Sequence, residues 1–204
     1  MMLDVVHDVQ TLYRLTLDAM SRPGTIVSLE PYTAKLGSAV TGNPSSALLA
    51  YMLLDVDVCH AVVSAPAPTD PIHQWIHEMT YSRATSMDEA DYIFIRKDAS
   101  QAEAEQAIAR AKCGDLISPH TSATIILEVD HISNEPTYAF RGPGVQDTTS
   151  VHVATEVDWV RCRQVNNVEY PMGVDMILVD ANHRLIAIPR TTQVESQVSK
   201  TWHT

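Results

Sequence analysis

The 204-residue sequence predicts an α/β chain in three layers, a mixed β-sheet with helices on both faces. Three observations carry this. Apolar residues at helical spacing alternate along the chain with short runs rich in Val and Ile. Hydrophobic residues make up 45% and charged residues 19%, enough to bury a full core without disulfide or metal support. The last quarter holds two apolar strands joined by the turn Ala181-Asn-His183, an antiparallel pair over 174–188. No repeat, linker or low-complexity tract divides the chain, so residues 1–204 read as one domain whose polar tail, 193–204, frays.

The elements follow in order. His7 or Asp8 caps a first helix with Leu12, Tyr13, Leu17 and Met20 at helical spacing, and Arg22-Pro-Gly24 stops it. A short strand over 25–29 comes next. Asn43-Pro44 supplies a cap and a proline at the first helical position of a second helix, which runs to Leu53. Residues 58–63 read as a strand, Thr69-Asp-Pro71 opens a third helix to about Tyr81, and 92–95 is a buried strand. Ser100 and Glu103 form a capping box for a fourth helix reaching Cys113, before Gly114. Strands over 124–129 and 137–141 precede the Gly142-Pro-Gly144 turn, a last helix over 155–167, and the terminal pair. Pro189 lacks an N–H and stops the final strand there.

A formal charge of −11, with four lysines and ten arginines, argues against non-specific binding to nucleic acid or an anionic membrane. A local anion pocket built from a few arginines stays open. Cys59, Cys113 and Cys162 are odd in number and lack CxxC spacing, which predicts reduced thiols in a cytoplasmic protein. The start of the chain has no basic and apolar leader, and no apolar run reaches membrane-spanning length.

Chemistry-bearing candidates are few. Arg190, with Thr191 and Thr192, stands at a strand end, where a guanidinium and two hydroxyls can hold a phosphate or phosphonate. If Arg22 and Arg141 end at the same sheet edge, the three make an anion site; if not, each is a surface or interface residue. Asp175, in an apolar strand, either pairs with an arginine across a subunit interface or faces water. His73 and His77 share a helix face, but Gln74 stands where zinc hydrolases carry glutamate, so no metal is expected. Phe140-Arg-Gly-Pro-Gly144 is either an anion-binding nest or a plain strand-ending turn. Lys35, Lys97, Lys112 and Lys200 sit in loops, at helix ends or in the tail, poor settings for a Schiff base. No G-x-S-x-G elbow is present, and the catalytic residues stay unknown.

Ordered segments nevertheless carry a resemblance. Tyr13-Arg-Leu15 with Ala19-Met-Ser-Arg-Pro-Gly24, Ser45-Ser-Ala-Leu-Leu49 leading to Leu54-Asp55, Ser118-Pro-His-Thr-Ser-Ala-Thr-Ile-Ile-Leu127, Phe140-Arg-Gly-Pro-Gly-Val145, and the block from Pro171-Met-Gly-Val-Asp175 to Ala187-Ile-Pro-Arg-Thr-Thr192 are similar to the H-subunit family of bacterial carbon–phosphorus lyase, the phosphonate metabolism protein PhnH. The similarity spans roughly residues 7 to 195.

The resemblance implies a fold similar to the large domain of pyridoxal-phosphate-dependent transferases, without the pyridoxal phosphate and without an iron–sulfur cluster on this chain. It implies a homodimer when isolated, and the G, I and J subunits as partners in a cytoplasmic complex. With the L subunit, that system displaces adenine from MgATP by an alkylphosphonate to give α-D-ribose 1-phosphonate 5-triphosphate. The chain's own role is then assembly or substrate shaping, with no activity alone. The alternative is a free-standing anion-binding protein or transferase that uses arginines at strand ends. Gln193 stands where relatives can carry histidine, so it receives no acid/base role.

Overall fold

In a computed structural model that describes residues 3–36, 42–65 and 71–197, a seven-stranded sheet and a three-stranded sheet organise the chain. The elements are α1 (His7–Ser21), β1 (Val27–Ser28), α2 (Glu30–Thr33), α3 (Pro44–Leu53), β2 (Cys59–Val63), α4 (Pro71–Thr80), β3 (Arg83–Ala84), β4 (Tyr92–Ile95) and α5 (Gln101–Arg110). After a 3-10 turn at Pro119–Thr121 come β5 (Thr124–Val129), β6 (His131–Arg141), β7 (Thr149–Ala154), α6 (Trp159–Asn166), β8 (Asp175–Asp180), β9 (Arg184–Ile188) and β10 (Gln193–Ser196).

The large sheet has the order β1-β9-β8-β5-β4-β2-β3. Strands β2, β4, β5 and β8 run parallel, and β9 folds back antiparallel on β8 with Met176 opposite Ile188. The central strands are buried on both faces and so read as nearly unbroken apolar runs, Ile125-Ile-Leu127 among them. Side chains alternate between the faces. Phe94, Ile126, Ile177 and Val179 meet α1, α3 and α4 through Leu12, Leu48 and Ile76. Ile93, Ile125, Met176 and Leu178 meet α5 and α6, through Ile108 and Trp159, together with the small sheet. Helices therefore cover both faces of a mixed sheet, as expected.

Several boundaries differ for local reasons. Asp4, not His7 or Asp8, satisfies the start of α1: its Oδ1 accepts from the backbone N–H of Val6 and of His7, both at 2.9 Å. The expected cap of α4 at Thr69 or Asp70 lies outside the described residues. Asn43 caps α3 through the Ser45 N–H at 2.8 Å, and the Ser100–Glu103 box caps α5, both as read from sequence. That helix stops at Arg110, short of Cys113. The last helix begins at Trp159 rather than Thr155, where the Asp158 side chain accepts from Arg161 N–H.

The small sheet, order β10-β6-β7, was not foreseen. Strand β10 lies inside the stretch expected to fray, with Val194 opposite Phe140 and buried. Residues 198–204 lie outside the described part. Among the described residues no helix is long and apolar enough to cross a membrane.

Neighbouring strands β2 and β4 send their following helices to opposite faces, since α4 packs with Phe94 and α5 with Ile93. Their carboxyl ends therefore mark a change of direction in the topology, and open α/β sheets bind ligands at the carboxyl ends of strands near such a point.

Candidate functional site

The two ends of the large sheet carry different chemistry. At the amino end of the parallel strands, Asp175 begins β8 and Arg190 follows the Pro189 stop of β9. The Arg190 side chain embraces Asp175, with Nη2 to Oδ2 at 2.5 Å and Nε to Oδ1 at 3.3 Å, while its backbone N–H donates to Oδ1 at 2.7 Å. Nη1 donates to the carbonyls of Pro119, at 2.7 Å, and of Pro171, at 3.5 Å. The pair is mostly buried, with 18% and 16% of the side chains exposed. Asp175 thus pairs with an arginine of its own chain. The clasp ties three loops to one strand end, and every nitrogen of the guanidinium is engaged.

The other predicted arginines lie elsewhere. Arg22 pairs with Asp18 one turn back on α1. Arg141 reaches Glu195 at 3.5 Å and Thr148 at 3.1 Å, and both arginines stay well exposed. Thr192 is buried, and its Oγ1 has no partner among the described residues; Thr191 is half-buried. What does converge is backbone. A Cβ on Gly144 would stand 2.0 Å from the Ser21 carbonyl, and one on Gly142 would stand 2.9 Å from the Thr191 carbonyl. The Arg22-Pro-Gly24 and Gly142-Pro-Gly144 turns are packed against each other and against the strand stop.

Sequence reasoning missed Arg163 of α6, whose Nη2 donates to the Pro189 carbonyl at 2.6 Å. Burial pulls its guanidinium down and the Asp175 carboxylate opposes this, which leaves it at about 10. Nothing in the spacing of α6 marks this arginine as an inward one.

At the carboxyl end, Arg96 and Lys97 leave β4, Glu128 is the penultimate residue of β5, and α3 crosses above them. Glu128 is 9% exposed. Its Oε1 accepts from the Ser46 hydroxyl at 2.7 Å and its Oε2 from the Lys97 N–H at 3.1 Å. The amino end of α3 adds its dipole to that stabilisation. Arg96 turns toward Asp98, with Nη1 at 3.4 Å, and its backbone N–H holds the Val63 carbonyl of β2 at 2.9 Å. Two cavities share Arg96 and Glu128. One is apolar, with Trp75, Phe94 and Ile76; the other is polar, with Lys97, Gln101, Asp130 and Thr155. The signal was in the sequence: an apolar run, Tyr92-Ile-Phe-Ile95, ending in two cations.

His73 and His77 diverge. The His73 Nδ1 lies 3.2 Å from Nε2 of the buried His60, and His77 Nδ1–H donates to the Ser82 carbonyl at 3.2 Å. Among the described residues no group of three His, Cys, Asp or Glu is placed to hold a metal ion. A pyridoxal ring would need a lysine amine aimed into a cavity. Lys35 pairs with Asp8 at 2.7 Å, Lys112 with Asp91 at 2.5 Å, and Lys97 with Asp130, so a Schiff base at any of them would break an ion pair. These three lysines do not fit that group, and Lys200 lies outside the described residues.

Known proteins sharpen the picture. The chain is 28% identical over 190 residues to the C–P lyase subunit protein HtxG of Stutzerimonas stutzeri, covering 91% of this chain and 85% of that one. It is 28% identical over 200 residues to the α-D-ribose 1-methylphosphonate 5-triphosphate synthase subunit PhnH of Rhizobium meliloti (strain 1021), covering 95% and 94%. Residues 2–195 match the family described as bacterial phosphonate metabolism protein (PhnH), a span that covers nearly all of the described fold, and the chain belongs to that family.

Proposed function

We propose that this chain is the H subunit of a carbon–phosphorus lyase system, acting in phosphonate catabolism as a non-catalytic component. Its complex forms ribose 1-phosphonate 5-triphosphate from MgATP and an alkylphosphonate. The observation that carries the reading is the family match over residues 2–195. The relatives' own names, a C–P lyase subunit and a synthase subunit, agree in making it one part of a larger machine.

The surface supports a subunit role. The Arg190 clasp draws the loops around Pro119 and Pro171 together, and these loops, with the adjoining end of α6, expose Leu116, Ile117, Val165, Val168 and Tyr170. Ile117 is 92% exposed. Apolar side chains gathered this way on a folded surface mark a contact with another protein. On this reading the docking partners are the G, I and J subunits, and the isolated chain forms a homodimer. A mostly parallel sheet covered by helices on both faces supports the likeness to the large domain of pyridoxal-phosphate-dependent transferases. The paired lysines support a scaffold that works without the pyridoxal ring, and the reading puts no iron–sulfur cluster on this chain. Three unpaired, half-buried thiols support a cytoplasmic setting.

The rival, a free-standing protein binding anions through Arg22, Arg141 and Arg190, is less well supported, because each of the three already holds a carboxylate. The test is genetic and biochemical. In a host lacking its own H subunit but carrying the other components, the chain is expected to restore growth on methylphosphonate and to co-purify with those components. Failure of both, with the protein accumulating normally, sinks the reading.

A further inference from the structure

The crevice at the carboxyl ends of β4 and β5 has a composition that the subunit role does not explain. A carboxylate that is nine-tenths buried costs stability unless its oxygens are satisfied. Glu128 has one neutral donor on each oxygen, Ser46 and the Lys97 N–H, and among the described residues no cation within ion-pair distance. Each oxygen keeps a second acceptor site. The same side chain lines both cavities. Across the opening stands Arg96, whose described ion-pair partner, Asp98, is at the long distance of 3.4 Å and half exposed.

The occupant must then combine two opposite properties. It needs hydroxyl donors for the buried carboxylate and an anionic group for Arg96. Inorganic phosphate or a simple phosphonate offers only the second and would bring its charge up to Glu128. A cation offers only charge for Glu128 and meets Arg96. A sugar hydroxyl satisfies a buried carboxylate as the acidic residue of dinucleotide folds does for ribose. Size decides the rest. The polar cavity holds about 210 Å³, below the roughly 300–1,000 Å³ of sites for drug-sized ligands, so it suits a sugar phosphate rather than a whole nucleotide.

We propose that the polar crevice at the carboxyl ends of β4 and β5 binds the phosphorylated ribose portion of a ligand, with Glu128, held in place by Ser46, on the sugar hydroxyls and Arg96 on a phosphate. The choice of ribose over another sugar rests on the subunit reading, through the relative named as a ribose 1-methylphosphonate 5-triphosphate synthase subunit. The site is far from the Arg190 clasp, at the opposite end of the strands, so sugar-phosphate binding and the clasp can be broken separately.

The test is calorimetric titration of the full chain with ribose 5-phosphate, and with inorganic phosphate and methylphosphonate as controls. Wild type is expected to bind ribose 5-phosphate saturably, and methylphosphonate at least tenfold more weakly. Glu128→Gln and Arg96→Lys are each expected to weaken ribose 5-phosphate by about tenfold or more, since each removes a charge-assisted or bidentate contact. Thermal melts identify a variant that fails to fold, and Ser46→Ala then replaces it. Lack of saturable binding to wild type overturns the proposal, as does unchanged affinity in the folded variants or equal binding of methylphosphonate. Growth on methylphosphonate separates the two ideas: a chain that restores growth and binds no ribose 5-phosphate refutes the site alone, and one that binds without restoring growth refutes the subunit role alone.

Discussion

Arg190 and Asp175 act as one unit. Each leaves the other as a partly buried, unpaired charge when removed, which costs about 3 kcal/mol. Arg190→Ala and Asp175→Ala should therefore each destabilise by about that amount, and the double variant should cost little more than either, as read by urea unfolding. Full additivity would mean that the two side chains do not act through each other. Asp91 offers a pH test. Burial tends to raise its carboxyl, but hydrogen bonds from Lys112 and from the Cys59 N–H outweigh that and hold it below its ordinary value of 3.8. Its contribution is present above that value and fades as pH falls through the lowered one. Asp91→Asn should lower the melting temperature at pH 7 and lose less on acidification to pH 3 than wild type does. An equal loss would remove Asp91 from the account.

At the scale of elements, the contact between the α1 stop and the β6–β7 turn depends on glycine. Gly144 has φ +81° and its Cα faces the Ser21 carbonyl, so Gly144→Ala suffers both the left-handed backbone and a steric clash. A cost of about 3 kcal/mol is expected in a chemical melt, against a few tenths for an exposed surface change. A neutral result would mean that the two turns are not packed together in solution. Helices and central strands were legible in the sequence because their signals are local: Asn43 before Pro44, the Ser100–Glu103 box, and the apolar run ending at Ile95. Strand β7 carried a signal too, Val151 and Val153 alternating with polar residues and both buried. Strand β10 carried almost none, because only Val194 of its four residues is apolar and buried. Its place depends on hydrogen bonding to β6, more than fifty residues earlier.

For the whole molecule, the two sheet ends differ in chemistry: one gathers loops and apolar side chains, the other a buried carboxylate and an arginine. Docking should therefore be separable from folding. Ile117→Asp and Tyr170→Asp change exposed side chains, so melting should stay within about 0.5 kcal/mol of wild type while co-purification with the partner subunits drops. Retained co-purification in both would move the interface elsewhere.

The sequence alone determined the class of fold, most element positions and the family, because capping, periodicity and short ordered segments are properties of neighbouring residues. It also put Arg190 at a strand end beside functional-looking hydroxyls. It could not say which end. Strand β9 runs against its parallel neighbours, so Arg190 falls at their amino ends, beside Asp175, and the carboxyl ends bring Arg96, Ser46 and Glu128 together instead. Strand direction and order are set by which apolar faces are buried against which helices, a sum over distant residues that no local stretch of the chain encodes.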